Sequence, residues 1–156
     1  MPNNLLMFKF LTLFFFTGLI AQPQPAKSNT DADRICGRWM SSDKNLIVQM
    51  YKAGNSYRGK MVWFKSNDHS KSMEEWTDKH NPDPTLRNRK ILGIDVITGI
   101  TYDIDSDTWE NGKIYEAQSG HFWSAVARLD KDGILKVTGY WHFKFIGKTM
   151  SFSRVP

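Results

Sequence analysis

From Gly37 onward, apolar and polar residues alternate over short runs separated by Gly, Asn, Asp and Ser. A period of two is the pattern of half-buried β-strands. Runs of this kind cover residues 38–40, 46–53, 57–64, 94–103, 113–117, 122–129, 134–142 and 148–155. They are rich in aromatic and β-branched residues, which suit a pleated surface. The turns between them are marked by Ala53-Gly54-Asn55, Glu110-Asn111-Gly112, Ser119-Gly120 and Asp130-Lys131-Asp132-Gly133, which supply residues tolerant of positive φ. About eight strands joined mostly by short turns predict a single antiparallel up-and-down barrel.

Parity within the strands divides inside from outside. Tyr57, Gly59, Met61 and Trp63 share one face, with Arg58 and Lys60 on the other. Trp123, Ala125, Ala127 and Leu129 share a face, as do Leu135, Val137, Gly139 and Trp141, and Met150, Phe152 and Arg154 in the last strand. An Arg on an apolar face is costly unless its guanidinium is covered or paired. Gly37-Arg38-Trp39 opens the first strand, so stacking Arg154 on Trp39 is the expected solution, closing one end where first and last strands meet. This Gly-x-Trp with a late Arg resembles the structural pattern of lipocalin-like barrels. Tyr57, Met61, Trp63, Trp123 and Trp141 then point into the barrel, where they either fill it or line a ligand site.

The stretch before Gly37 reads differently. Lys9 precedes an apolar to weakly polar run from Phe10 to Ile20. That length fits the core of a signal peptide and falls short of the roughly 20 residues that span a bilayer. Ala21 supplies a small residue for cleavage, and PQPAKSNTD then reads as linker. The expected organisation is a signal peptide over 1–21, a linker over 22–36 and a barrel over 37–156, in a secreted or periplasmic protein with no stable membrane span once the leader is removed.

Composition sharpens this only in places. The chain of 156 residues has a formal charge of +5, and loss of the leader removes one Lys and none of the six Trp. Basic residues are scattered among acidic ones except at Arg87-Asn88-Arg89-Lys90, so the clustered basic face of a nucleic-acid binder is absent. The single Cys, Cys36, excludes a disulfide framework and reads as a small buried hydrophobe.

Candidate chemistry concentrates between the third and fourth runs, over about 65–92, longer than most loops without a function or a fold of their own. SNDHSKSMEEW has the makings of one short helix anchored by Trp76. In DKHNPDPTLRNRKILG, two Pro stiffen the chain, and Asp78, His80 and Asp83 are candidates for acid–base chemistry or a metal. Asp78 and Asp83 pairing with Arg87 and Arg89, to pin the loop over the barrel, is the favoured alternative; Arg87 and Arg89 binding an anionic ligand is another. Asp103, Asp105 and Asp107 mimic the start of a calcium loop, but Thr108 and Ile114 stand where Gly and Glu are required. Ser119 and His121 lie in a turn with no orienting third residue. No catalytic residue, metal site or cofactor is assigned.

Three motifs carry a resemblance: NPDPTLRNRKILG with Asn81, Asp83, Arg87 and Arg89; WENGKIYEAQSG over 109–120; and the Gly-Lys-Thr, Ser and Arg of the last strand, ending at Arg154. The chain resembles the secreted bacterial family called domain of unknown function 2147 from Gly37 to Val155. The resemblance implies a single exported, lipocalin-like barrel and no established activity. One departure is Ile114-Tyr115-Glu116-Ala117 where the family motif reads Ile-Tyr-Asp-Pro.

Three functions follow. The first is a binding protein for a small, partly apolar ligand, which predicts an internal cavity of about 300 Å³ or more lined by the named aromatics. The second is an envelope interaction module with a filled barrel and an exposed apolar patch. The third is a hydrolase using Asp78, His80 or Asp83.

Overall fold

A computed structural model describes residues 29–66, Asp68 and residues 70–156. The expected signal peptide, its cleavage after Ala21 and the first part of the expected linker lie outside the described residues. Eight strands, β1 (Gly37–Ser41), β2 (Leu46–Ala53), β3 (Ser56–Phe64), β4 (Asp95–Asp103), β5 (Thr108–Glu116), β6 (His121–Leu129), β7 (Leu135–Tyr140) and β8 (Lys148–Val155), follow one another around a closed barrel. All neighbours are antiparallel, and β8 returns to β1 with Arg154 opposite Trp39. Closure gives every strand a neighbour on both sides, although β3 pairs with β4 only as far as Lys60.

Two turns illustrate the local physics. Asp130 Oδ1 accepts the backbone N–H of Asp132 and of Ile134, closing the β6–β7 turn around Gly133. Between β1 and β2, the Ser41 hydroxyl accepts from the N–H groups of Asn45 and Leu46. The Glu110-Asn111-Gly112 segment is not the turn its residues suggest. β5 begins at Thr108, and the pairing with β6 steps from Trp109–Ala127 to Gly112–Ala125, leaving two residues bulged. Asn111 does take a left-handed φ of 63°, but within that bulge. The preceding turn lies at Ile104–Asp107 instead.

The core is the barrel interior. Trp39, Val48, Met50, Ile97, Ile100, Trp109, Leu135 and Phe152 are buried within it. The void between Trp39, Met50, Ile97 and Phe152 amounts to about 10 Å³, at the threshold for a single water. A Cβ on the inward-facing Gly59 would stand 2.7 Å from Met50 Sδ and 2.8 Å from Val48 Cγ1. Among the described residues the centre of the barrel is therefore filled, and the void found there is far smaller than the cavity expected. Arg58 and Lys60 are exposed on β3 while the interior is apolar. Among the described residues no helix is long and apolar enough to cross a membrane.

One end is sealed by a segment expected to be linker. A helical turn, α1 (Asn29–Ala32), runs into a 3-10 turn (Asp33–Ile35) whose Ile35 is completely buried. Trp39 Nε1 donates to Ile35 O at 2.8 Å, and Trp109 Nε1 donates to Ala32 O at 3.1 Å. Tyr57 donates its hydroxyl to Asp33 at 2.6 Å, which holds the Asp33 carboxyl below its ordinary range. This plug packs with the barrel and supplies the carbonyl acceptors of two buried Trp indoles.

Candidate functional site

Arg154 sits 4.4 Å over the Trp39 ring at the plugged end. Its guanidinium donates to Cys36 O at 2.8 Å and to Arg34 O at 2.6 Å. Gly37 has a φ of +132°, and a Cβ there would collide with Arg154 Nη1. Gly37, Trp39 and Arg154 form one closure in which each residue type is dictated by the other two.

The connection between β3 and β4 is organised by a buried polar cluster. In place of a helix at SMEEW there is a single 3-10 turn (Met73–Glu75), with Ser72 and Glu75 capping each other's backbone. Beyond it Asp78 is fully buried. One Asp78 carboxylate oxygen accepts from the Tyr115 hydroxyl at 2.5 Å; the other accepts from Asn81 Nδ2 at 2.7 Å and Arg89 Nε at 3.0 Å. Arg89 also lies 5.7 Å from the Tyr115 ring. Burial, and then the bond to Asp78, pushes the Tyr115 hydroxyl up to about 12. Gly120 permits the loop to cross the β5–β6 turn, since a Cβ there would meet the His80 carbonyl.

Arg87 and Asp83 depart from the simple pairing expected of them. Arg87 Nε donates to Asn81 O at 2.8 Å. Asp83 caps a 3-10 turn (Pro84–Leu86), accepting from the N–H and hydroxyl of Thr85, and these bonds hold its carboxyl below the ordinary range. His80 is exposed while Asp78 is buried. The expected trio is thus separated: Asp78 is buried in the cluster, Asp83 caps a turn and His80 is exposed. Ser119 donates to Glu116 at 2.6 Å, so its hydroxyl serves the turn. Among the described residues no group of three His, Cys, Asp or Glu is placed to hold a metal.

The five expected ligand-lining residues separate. Tyr57 is in the core and Met61 packs against it half-buried. Trp63 is half-buried outside that core, because the β2–β3 register shifts between Ile47 and Val48 and sets Trp63 opposite the outward-facing Ile47. Trp123 keeps inward parity, opposite Ile114, but lies half-buried at the end of the barrel away from the plug, the end that the β3–β4 connection also crosses. Trp141 is 60% exposed, because β7 ends at Tyr140 and the chain turns away before the next inward position.

Trp123 and Trp141 nevertheless meet, edge to face, with ring centroids 5.7 Å apart. They belong to a continuous aromatic series at the rim. His121 lies 6.1 Å from Trp123, His142 lies 5.9 Å from Trp141, and Phe143 stacks on Phe145 at 5.4 Å. Trp141, His142, Phe143 and Ile146 enclose a half-open apolar hollow of about 170 Å³. That volume is comparable to a cavity of about 150 Å³ that accepts benzene. The segment is braced from outside by Lys144, whose Nζ meets Glu110 at 2.6 Å; each holds the other in its charged form. Phe143, Phe145 and Ile146 escape a parity reading because they lie in a connection and not a strand. Their signal in the sequence is the density of large apolar residues in WHFKFI with no strand to bury them.

The family described as an uncharacterized protein conserved in bacteria (DUF2147) matches residues 37–154. The chain belongs to this family. Among solved structures it is similar to one described as "Protein HP1028 from the human pathogen Helicobacter pylori belongs to the lipocalin family", with 22% identity and a TM-score of 0.66, over 78% of this chain and 83% of that one. At that identity the likeness shows the fold: this is a lipocalin-like barrel. A search of curated proteins gave no match.

Proposed function

We propose that this is an exported binding protein that takes a small, partly apolar ligand at the rim of its barrel away from the N-terminal plug. The observation that carries the reading is the half-open hollow of about 170 Å³ between Trp141, His142, Phe143 and Ile146. Its walls are almost wholly apolar, with the His142 imidazole as the one polar side chain among the four that line it. The apolar run from Phe10 to Ile20 supports export. Lipocalin-like barrels are built to hold one small ligand, and a filled centre moves that role from the interior to the mouth.

A titration with anilinonaphthalene sulfonate, an apolar probe with one anionic group, tests the site. Wild-type protein is expected to bind it, and Trp141→Ala to weaken binding about tenfold while leaving the thermal transition unchanged. Equal binding by both proteins would refute a site at the rim.

The void of about 10 Å³ at the barrel centre favours a second reading, an envelope module that meets a protein partner through its surface. It predicts that native mass spectrometry of protein purified from its own cells shows a bound chain and no small molecule.

A further inference from the structure

Phe145 is 83% exposed, belongs neither to the core nor to the walls of the hollow, and stacks on Phe143, itself 58% exposed. Ile146 beside them is 71% exposed. A short 3-10 turn (Lys144–Ile146) presents these side chains while Lys144 is drawn back to Glu110, so the segment is apolar on its outer side and anchored by charge on the other. Of the four basic residues in 133–156, Lys136 pairs with Asp130, Lys144 pairs with Glu110 and Arg154 lies at the plugged end, which leaves Lys148 as the cation of that stretch beside the tip. Lys148, at the base of the turn, and Lys113, on the strand adjoining β6, are both exposed. An ordinary protein interface engages about 20–30 residues a side, whereas this is a narrow tip of one connection. Trp and Phe flanked by Lys are the side chains that settle at the boundary between lipid headgroups and acyl chains.

We infer that the 141–148 connection is a membrane-surface contact, in which Phe143, Phe145 and Ile146 enter the headgroup–acyl boundary of an anionic bilayer and Lys148 and Lys113 meet its phosphates. This goes beyond the ligand site, because Phe145, Lys148 and Lys113 do not line the hollow. It places the mouth of the barrel against a lipid surface.

Co-sedimentation tests it, using the chain from residue 22, which retains barrel and plug. Wild-type protein is expected to sediment with phosphatidylglycerol-containing vesicles and to be released by salt. Phe145→Ser is expected to lower the bound fraction about tenfold, and Lys148→Glu to weaken it on anionic vesicles but not on phosphatidylcholine. Both variants are to keep the wild-type thermal transition and anilinonaphthalene sulfonate binding, which separates this inference from the ligand reading. Failure of wild-type protein to sediment, or equal sedimentation of Phe145→Ser, overturns it. So does a concentration-dependent dimer that Phe145→Ser abolishes without any vesicle binding, which would assign the tip to a second copy of the chain.

Discussion

Gly37, Trp39 and Arg154 show how far single residues can be read. An Arg of inward parity in the last strand demands a partner, and the nearest indole by strand order is Trp39. What the residues alone do not disclose is the backbone share of the interaction: the guanidinium also satisfies the carbonyls of Cys36 and Arg34, which belong to the plug. Gly37→Ala combines an unfavourable φ with a collision against a guanidinium already fixed by those bonds. It is expected to cost about 2 kcal/mol in urea unfolding. A loss below about 0.5 kcal/mol, the range of an ordinary surface change, would contradict the described closure.

Among the elements, strand parity is reliable only until a bulge interrupts it. The β2–β3 register shift turns Trp63 away from the core, and the bulge in β5 hides Trp109, which is completely buried although its neighbours read as a turn. Asn-Gly chemistry serves a hairpin and a bulge equally well, so local residues cannot separate the two. The loop cluster shows a similar limit. Asp78 and Arg89 do pair, but their third and fourth partners, Asn81 and Tyr115, include a residue 37 positions away that only the fold brings near. Tyr115→Phe removes the hydroxyl from this cluster and is expected to cost about 1 kcal/mol at neutral pH. The folded state holds the Tyr115 hydroxyl protonated up to about 12, above its ordinary value of 10. Its contribution is therefore complete below pH 10 and declines as pH rises toward 12, so the gap between wild type and variant narrows over that window. Urea unfolding at several pH values checks this; a gap that widens would reverse the assignment.

At the scale of the molecule, the closed eight-stranded barrel was legible because strand spacing, turn residues and the pairing of chain ends all agree. Its contents were not. Parity says which residues face inward, but filling depends on how their side chains pack over one another, as Met50 and Val48 of β2 do over Gly59 of the adjoining β3. Nor did the polar run before Gly37 disclose that its end forms a plug. A chain beginning at Gly37 lacks Ile35 and the acceptors of both buried indoles. It is expected to be at least about 3 kcal/mol less stable than one beginning at Asn29, and comparison by thermal or urea unfolding decides it.

The placement of the binding site at the rim, with a solid barrel behind it, is open to one direct measurement. The indole N–H signals of Trp39 and Trp109 report the interior, and those of Trp123 and Trp141 report the rim. In an NMR titration with anilinonaphthalene sulfonate, the account predicts saturable shifts at Trp123 and Trp141 while Trp39 and Trp109 stay in place. Shifts led by Trp39 and Trp109, with Trp141 unmoved, would contradict it and return the ligand to the interior of the barrel.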